Sequence, residues 1–530
     1  MTEMTTRGES DADGAHTIGR WLTDRAAAAP AHTAIDDRGV RIGYGDLEAR
    51  AAGLGQALRR AGYGPGDRFA TVSGNSIDHV VAFFACAKAG IAFVPLSWRQ
   101  TARELGEALT RATPDLVLLD DEHAGLARDA LARCGARPPV APLGTTGIEA
   151  AIPPRAGDPA PARPVRDDDP LLVIYTSGSE SAPKGVVLTH ANCFWNNLAL
   201  AGVVQLTADD VVLAMLPQFH VAAWNCEPLL AWWMGATVVL ERSFQPRRIL
   251  HLIEDRGVTA MMGVPTQYRL LADDPHFAAA VPGRLRQALV GGATLPTDLA
   301  QRWATAGVPL IQGYGLTEAG PNVLCLPVSD DPRHAGAVGR PYPHVDVRLT
   351  DPESGLVLDG AATGELQVRG PSVFAGYLDD PAATARAMSG EWLCTGDIVR
   401  RDTDGVFRVV DRLKDIYISG GENVAPAEVE RALCLHPAIA EAAVVGVPDP
   451  VWGERGVAFV VRGRGAALGE DEVLTHARAE LAGFKVPARV VFVDALPHST
   501  IEKLARTALR SRAAELMSTA RSEEGAHERG

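Results

Sequence analysis

The chain has 530 residues, 46% of them apolar and 22% charged, which excludes disorder over most of its length and leaves room for roughly three or four domain-sized units. Its 51 Lys and Arg against 65 Asp and Glu give a formal net charge of −14, which excludes the basic footprint of a dedicated nucleic-acid binder. The seven cysteines are scattered, with no C-x-x-C pair, and point to reduced thiols and a cytoplasmic location. Met1–His16 carries no apolar h-region, and no apolar run approaches the ~20 residues of a membrane span, so neither a secretory leader nor a membrane anchor is expected.

Residues 1–16 read as a disordered N-terminus. From Ile18 the pattern alternates helices with short apolar strands. Helices are expected at Tyr44–Ala61 and at Ser76–Ala89, the second with an N-cap at Asn75-Ser76 and a stop at Gly90. Strands are expected at Arg68–Val72, Ala92–Pro95, Leu116–Leu119 and Leu171–Tyr175, which are apolar runs bounded by turn residues. This βα alternation predicts an α/β fold with a buried, mostly parallel sheet. Ala136–Asp169, rich in Pro, Ala and Gly, reads as a connector. Alternating segments between Val345 and Val410 predict antiparallel strands in a β-rich subdomain. Past Asp411 the βα alternation resumes in a smaller unit, and the charged residues 516–530 read as a flexible tail.

The loop Tyr175–Gly185 follows one apolar run and precedes another. Thr176, Ser177, Gly178 and Ser179 supply hydroxyls and backbone N–H groups, and Lys184 supplies charge, as a triphosphate requires. It is not a Walker A loop, because Pro183 precedes the lysine and Gly185 follows it, and no G-x-G-x-x-G follows the strand. The bland alternative is a Ser/Gly-rich surface loop.

The loop resembles the phosphate-binding signature of the adenylate-forming superfamily of acyl- and aryl-CoA synthetases, adenylation domains and luciferases. Ser179-Glu180-Ser181 replaces the usual Thr-Thr-Gly. Further motifs follow in family order. Gly291-Gly292-Ala293 and Gly313–Glu318 resemble the adenine-pocket and central motifs. Trp392–Asp397 resembles the ribose motif, and Asp411–Asp415 the hinge between a large and a small domain. Ser419–Glu430 resembles the first turn of the small domain in CoA synthetases. Leu496–Lys503 resembles the C-terminal lysine segment, with Glu502 where most members have Gly.

The resemblance implies an adenylate-forming fold: a large N-terminal domain over 17–411, with two α/β sheets and the β-rich subdomain, and a small mobile α+β domain over 412–515. It implies that Thr176, Ser177, Gly178, Ser179 and Lys184 hold the ATP phosphates, and that Gly292, Ala293, Gly313, Tyr314 and Gly315 form the adenine pocket. Tyr314 can stack on the purine, Thr317 can donate to the α-phosphate, and Glu318 can hold Mg²⁺ through oxygen. Asp397 would accept from the ribose hydroxyls and Arg412 would contact the nucleotide. Lys414 would be the hinge, and Gly420 and Gly421 would line the path of CoA. Lys503 would stabilise the adenylation transition state. For the glycines the alternative is a tight turn, and for the Asp411–Asp415 run a solvated loop.

Leu216–Asn225 resembles the family motif that opens the acyl pocket, with His220 as gate or, alternatively, a core histidine. No acidic residue lies between Val211 and Cys226, which disfavours an α-amino acid. Trp224, Val264, Thr266, Val290 and Pro321 suggest a pocket that rewards apolar area. The expected activity is a two-step ligase that makes acyl-AMP and pyrophosphate from a carboxylic acid and ATP, then an acyl-CoA. The alternatives are a ligase that loads a carrier protein and a nucleotide-binding pseudoenzyme. A homodimer is left open by the sequence.

Overall fold

The computed structural model describes residues 14–135, 137–144, 151–176, 183–293, 295–327, 332–413, 415–419, 422–449, 452–481, 483–497 and 504–527. The expected helices form over Tyr44–Arg60 and Ile77–Ala89. Ser76 caps the second by accepting the His79 N–H at 3.2 Å. The four expected strands form as Arg68–Val72, Ala92–Leu96, Leu116–Leu119 and Pro170–Thr176. Two compact units result, Met1–Val347 with Val368–Leu393, and Arg348–Gln367 with Cys394–Gly530.

The first unit carries two sheets. In the seven-stranded sheet, Ala92–Leu96, Arg68–Val72 and Leu116–Leu119 run parallel, and Lys184–Thr189 folds back antiparallel on Pro170–Thr176. Gly376–Tyr377 adds an edge strand beside Lys184–Thr189. In the nine-stranded sheet, Leu310–Tyr314, Gln287–Val290, Ala260–Gly263, Val211–Ala214, Thr237–Leu240 and Thr33–Asp37 lie side by side and parallel. From Val211–Ala214 the chain steps outward to Thr237–Leu240 and then crosses to the other side, to Ala260–Gly263. Such a reversal opens a crevice at the carboxyl ends of the strands, where α/β sheets bind ligands.

The second unit holds most of an antiparallel sheet drawn from residues 346–412, and a five-stranded sheet of Tyr417–Ser419, Glu422–Val424, Ile439–Asp449, Gly453–Arg462 and Arg489–Phe492. Helices Pro426–Cys434 and Glu470–Glu480 cover the latter over a core that includes Val429, Leu433, Val460 and Val473.

Three details depart from the sequence reading. The connector contains a strand, Val140–Pro142, parallel to Leu116–Leu119; its three residues are too few to show a period. His16 is not frayed, because its Nδ1 lies 2.6 Å from Asp167 and its ring 4.5 Å from that of Phe194. Residues 516–527 continue the helix Arg506–His527, because Ala, Glu, Leu, Met and Arg favour helix. Among the described residues no helix is long and apolar enough to cross a membrane.

Candidate active site

Four loops leave the carboxyl ends of adjacent parallel strands: Met215–His220, Val264, Gly291–Ala293 and Gly315–Glu318. Gly292 has φ +81°, a left-handed turn that leaves it and Ala293 exposed. At Gly315 a Cβ would stand 1.4 Å from the Pro321 carbonyl oxygen, so only glycine lets these two backbone segments touch. Gly313 lies beside the Val290 carbonyl in the strand Leu310–Tyr314, and Tyr314, half-buried, is the last residue of that strand.

Thr317–Ala319 forms one 3₁₀ turn and presents Thr317 and Glu318, both half-buried. Glu318 Oε1 accepts the Tyr377 hydroxyl at 2.9 Å. Burial, and then the Glu318 charge, push the Tyr377 pKa upward, so the phenol keeps its proton and donates. Lys184 Nζ lies 4.9 Å from the centre of the same ring. One tyrosine therefore ties Lys184 to Glu318. A carboxylate oriented by a phenol beside a threonine hydroxyl fits a hard divalent cation. Thr176 and Lys184 are cross-strand partners and fix the two ends of the loop. Ser177, Gly178 and Ser179 lie outside the described residues.

The loop Leu216–His220 is clamped from the seven-stranded sheet. Asn75 donates to Leu216 O at 2.9 Å and accepts from the Gln218 N–H at 3.0 Å. His79 Nδ1 lies 2.8 Å from Gln218 Oε1 and its Nε2 2.8 Å from Thr71 Oγ1. Burial lowers the His79 pKa to about 4, so it stays neutral. His220 is half-buried, its ring 4.4 Å from that of Phe219. A buried asparagine cluster holds the other side of the crevice. Asn225 donates to Gly320 O at 2.6 Å, Asn196 accepts from the Asn322 N–H at 3.1 Å, and Asn196 donates to Asn225 O at 2.8 Å.

Two pocket assignments are corrected. Trp224 has no exposed surface. It stacks on Phe83 at 4.3 Å and donates to Gln218 O at 2.7 Å, so the bulk read as pocket wall fills the space between the sheets. Val290 is likewise fully buried in the core with Leu213, Met261 and Leu299. Val264 and Pro321 are half-buried and Thr266 is exposed, all at or beside the crevice loops.

In the second unit Asp397 and Arg412 are cross-strand partners, with Arg412 Nε 3.1 Å from Asp397 Oδ1. The carboxylate is buried, and the Arg412 side chain is 46% exposed. Residues flanking position 414 are tied down. Asp411 accepts the Ala427 N–H at 2.8 Å, and Asp415 pairs with Arg510 at 2.8 Å. Arg506, paired with Glu430 at 2.7 Å, anchors the start of the final helix. Lys414, Gly420, Gly421 and Lys503 lie outside the described residues.

Sequence reading missed Asn75, Asn196, Asn322 and Tyr377, whose partners are remote in the chain. It also missed Glu227, whose signal was available: a single acid in the apolar run Val221–Ala236.

The profile of the AMP-binding enzyme family matches residues 22–378, and that of the AMP-binding enzyme C-terminal domain matches 428–503. A feruloyl-CoA synthase from Amycolatopsis is 40% identical over 495 residues, covering 93% of this chain and 99% of that one. An indoleacetate–CoA ligase from Aromatoleum aromaticum is 35% identical, covering 93% and 97%. The ATP-bound crystal structure of MatB from Rhodopseudomonas palustris superimposes with a TM-score of 0.86 at 32% identity, covering 94% of this chain and 99% of that one. The chain belongs to the AMP-binding, adenylate-forming enzyme family.

Proposed function

We propose that this protein is an ATP-dependent acid–thiol ligase that joins an apolar, aryl-type carboxylic acid to CoA through an acyl-adenylate. The convergence of Gly291–Ala293, Gly315–Glu318 and the His220 loop at one strand-end crevice carries this reading. The CoA-ligase relatives at 35–40% identity support the acceptor and the acid class.

In the first step a carboxylate oxygen of the acid attacks the α-phosphorus of ATP. The bond from that phosphorus to the bridging oxygen breaks, and pyrophosphate leaves. Thr317 and Lys503 stabilise the charge that develops on the α-phosphate. Lys184 and the loop hydroxyls hold the leaving phosphates, and Asp397 with Arg412 holds the ribose side. Glu318 would hold Mg²⁺, which would supply neutralisation of the triphosphate charge. In the second step the small domain, 412–515, turns about Lys414, withdraws Lys503 and brings Gly420 and Gly421 to the pantetheine arm. The CoA thiolate attacks the acyl carbon, its proton goes to solvent, and AMP leaves. Seven free thiols, five of them buried, suit a reducing cytoplasm.

Lys503→Ala tests the division of labour. Acid-dependent ATP–pyrophosphate exchange should fall by orders of magnitude, while thioester formation from supplied acyl-adenylate survives. Equal loss of both half-reactions would sink it. Thioester yield with CoA against a phosphopantetheinylated carrier protein decides the acceptor.

A further inference from the structure

Where Val211–Ala214 and Ala260–Gly263 separate, their pairing stops at Leu213 and Met261. The reversal crevice opens there over a void of about 10 Å³, the size of one water. Its lining is apolar, with Leu213, Met215, Ala223 and Met262 among the residues around it. Leu216, Ala222 and Met262 keep exposed surface, so this lining continues to the mouth of the crevice.

One lining residue does not fit an apolar floor. Glu227 is 2% exposed. Its carboxyl accepts the backbone N–H of Met262, just past the point where strand pairing stops. Its Oε1 has no hydrogen-bond partner among the described residues. An orphaned buried polar atom is costly and calls for a reason. Capping one N–H does not supply it, because a single acceptor would suffice.

We propose that Glu227 is the polar floor of the acyl pocket, and that the acid activated here carries a hydroxyl at the end remote from its carboxylate. This deepens the ligase reading above and rests on it. Burial pushes the Glu227 pKa well above the usual carboxylate range and so favours the neutral acid. A neutral carboxyl both donates and accepts, as a hydroxyl does. An ammonium would need a carboxylate charge in an apolar site, where burial is costly. A site built to hydrogen-bond a substrate hydroxyl rejects the analogue without it far more strongly than an apolar pocket rejects a missing methylene.

The test is pyrophosphate exchange with 3-phenylpropanoate, its 4-hydroxy derivative and its 4-aminomethyl derivative. The native enzyme should favour the hydroxyl acid over the parent by about 100-fold in kcat/KM. Glu227→Gln, also neutral and bifunctional, should keep that preference within about fivefold. Glu227→Leu should erase most of it by improving the unsubstituted acid. A native enzyme that treats hydroxyl and parent acids alike, or prefers the ammonium acid, overturns the proposal, as does an unchanged ratio in Glu227→Leu. Exchange with none of the acids would count against the ligase reading instead.

Discussion

The first unit contains two largely parallel sheets, yet their strand ends are used differently. In the nine-stranded sheet the strand ends run into Gly291–Ala293 and Gly315–Glu318, where backbone is bare and side chains are half-exposed. In the seven-stranded sheet they run into Ser73–Ser76 and Asp120–His123, where polar side chains are spent on the protein itself. Asp120 accepts from the Gly74 N–H and lies 2.8 Å from His123 Nδ1. Burial acts upward on its pKa, but these hydrogen bonds outweigh it and hold the group down to about 2. On the proposed function the nine-stranded sheet presents groups to ligand, whereas the seven-stranded sheet contributes only the loop after Pro170–Thr176 and otherwise buttresses its neighbour through Asn75, His79 and Phe83. Architecture alone does not make a site, since the ends must also be left unsatisfied by the fold.

The contrast is broken most severely at Gly315. Gly315→Ala places a methyl on the Pro321 carbonyl and should lower acid-dependent exchange more than 100-fold. A melting temperature near the native value would show that the loss is local.

The buttress predicts a pH effect. His79 has a folded pKa of about 4 against a usual 6.5, so the unfolded chain binds the extra proton between those values. Its contribution is complete above pH 6.5 and is lost as pH falls toward 4. Between pH 7 and pH 5 that amounts to about 2 kcal/mol. Urea unfolding at the two pH values should show a loss smaller by this amount in His79→Gln than in the native protein. His190, also fully buried with a pKa near 4, should add a similar loss, read the same way with His190→Gln.

Asn75→Ala should destabilise by about 2 kcal/mol, because Leu216 O, Glu241 O and the Gln218 N–H lose a buried partner. Activity measured well below the new melting temperature should change only several-fold, since no ligand group is touched. The smallest effect is expected for Tyr377→Phe, which frees Glu318 Oε1. It should raise KM for ATP about tenfold at fixed Mg²⁺, equivalent to about 1.4 kcal/mol.

The division between legible and hidden features follows chain distance. Strands such as Arg68–Val72 and the helix over Ile77–Ala89 are carried by local apolar runs and caps, so the sequence displays them. Gly315 was legible as part of a motif, but the reason for it, the Pro321 carbonyl, was not. Tyr377 reaches Glu318 across 59 residues, and Asn75 reaches Gln218 across 143. Such pairings depend on sheet order, which no local pattern encodes. Trp224 shows the converse: its type and motif position suggested a pocket wall, but the direction of its side chain is set by Phe83 on the helix Ile77–Ala89 and by Phe93 in the seven-stranded sheet.

The central claim is that the strand-end crevice of the nine-stranded sheet is where an acid is adenylated. Side-by-side pyrophosphate exchange by the native enzyme and Gly315→Ala, with and without an aryl carboxylic acid, tests it directly. Exchange should require the acid in the native enzyme and fall more than 100-fold in the variant. Exchange independent of acid, or undiminished in a folded Gly315→Ala protein, would contradict it.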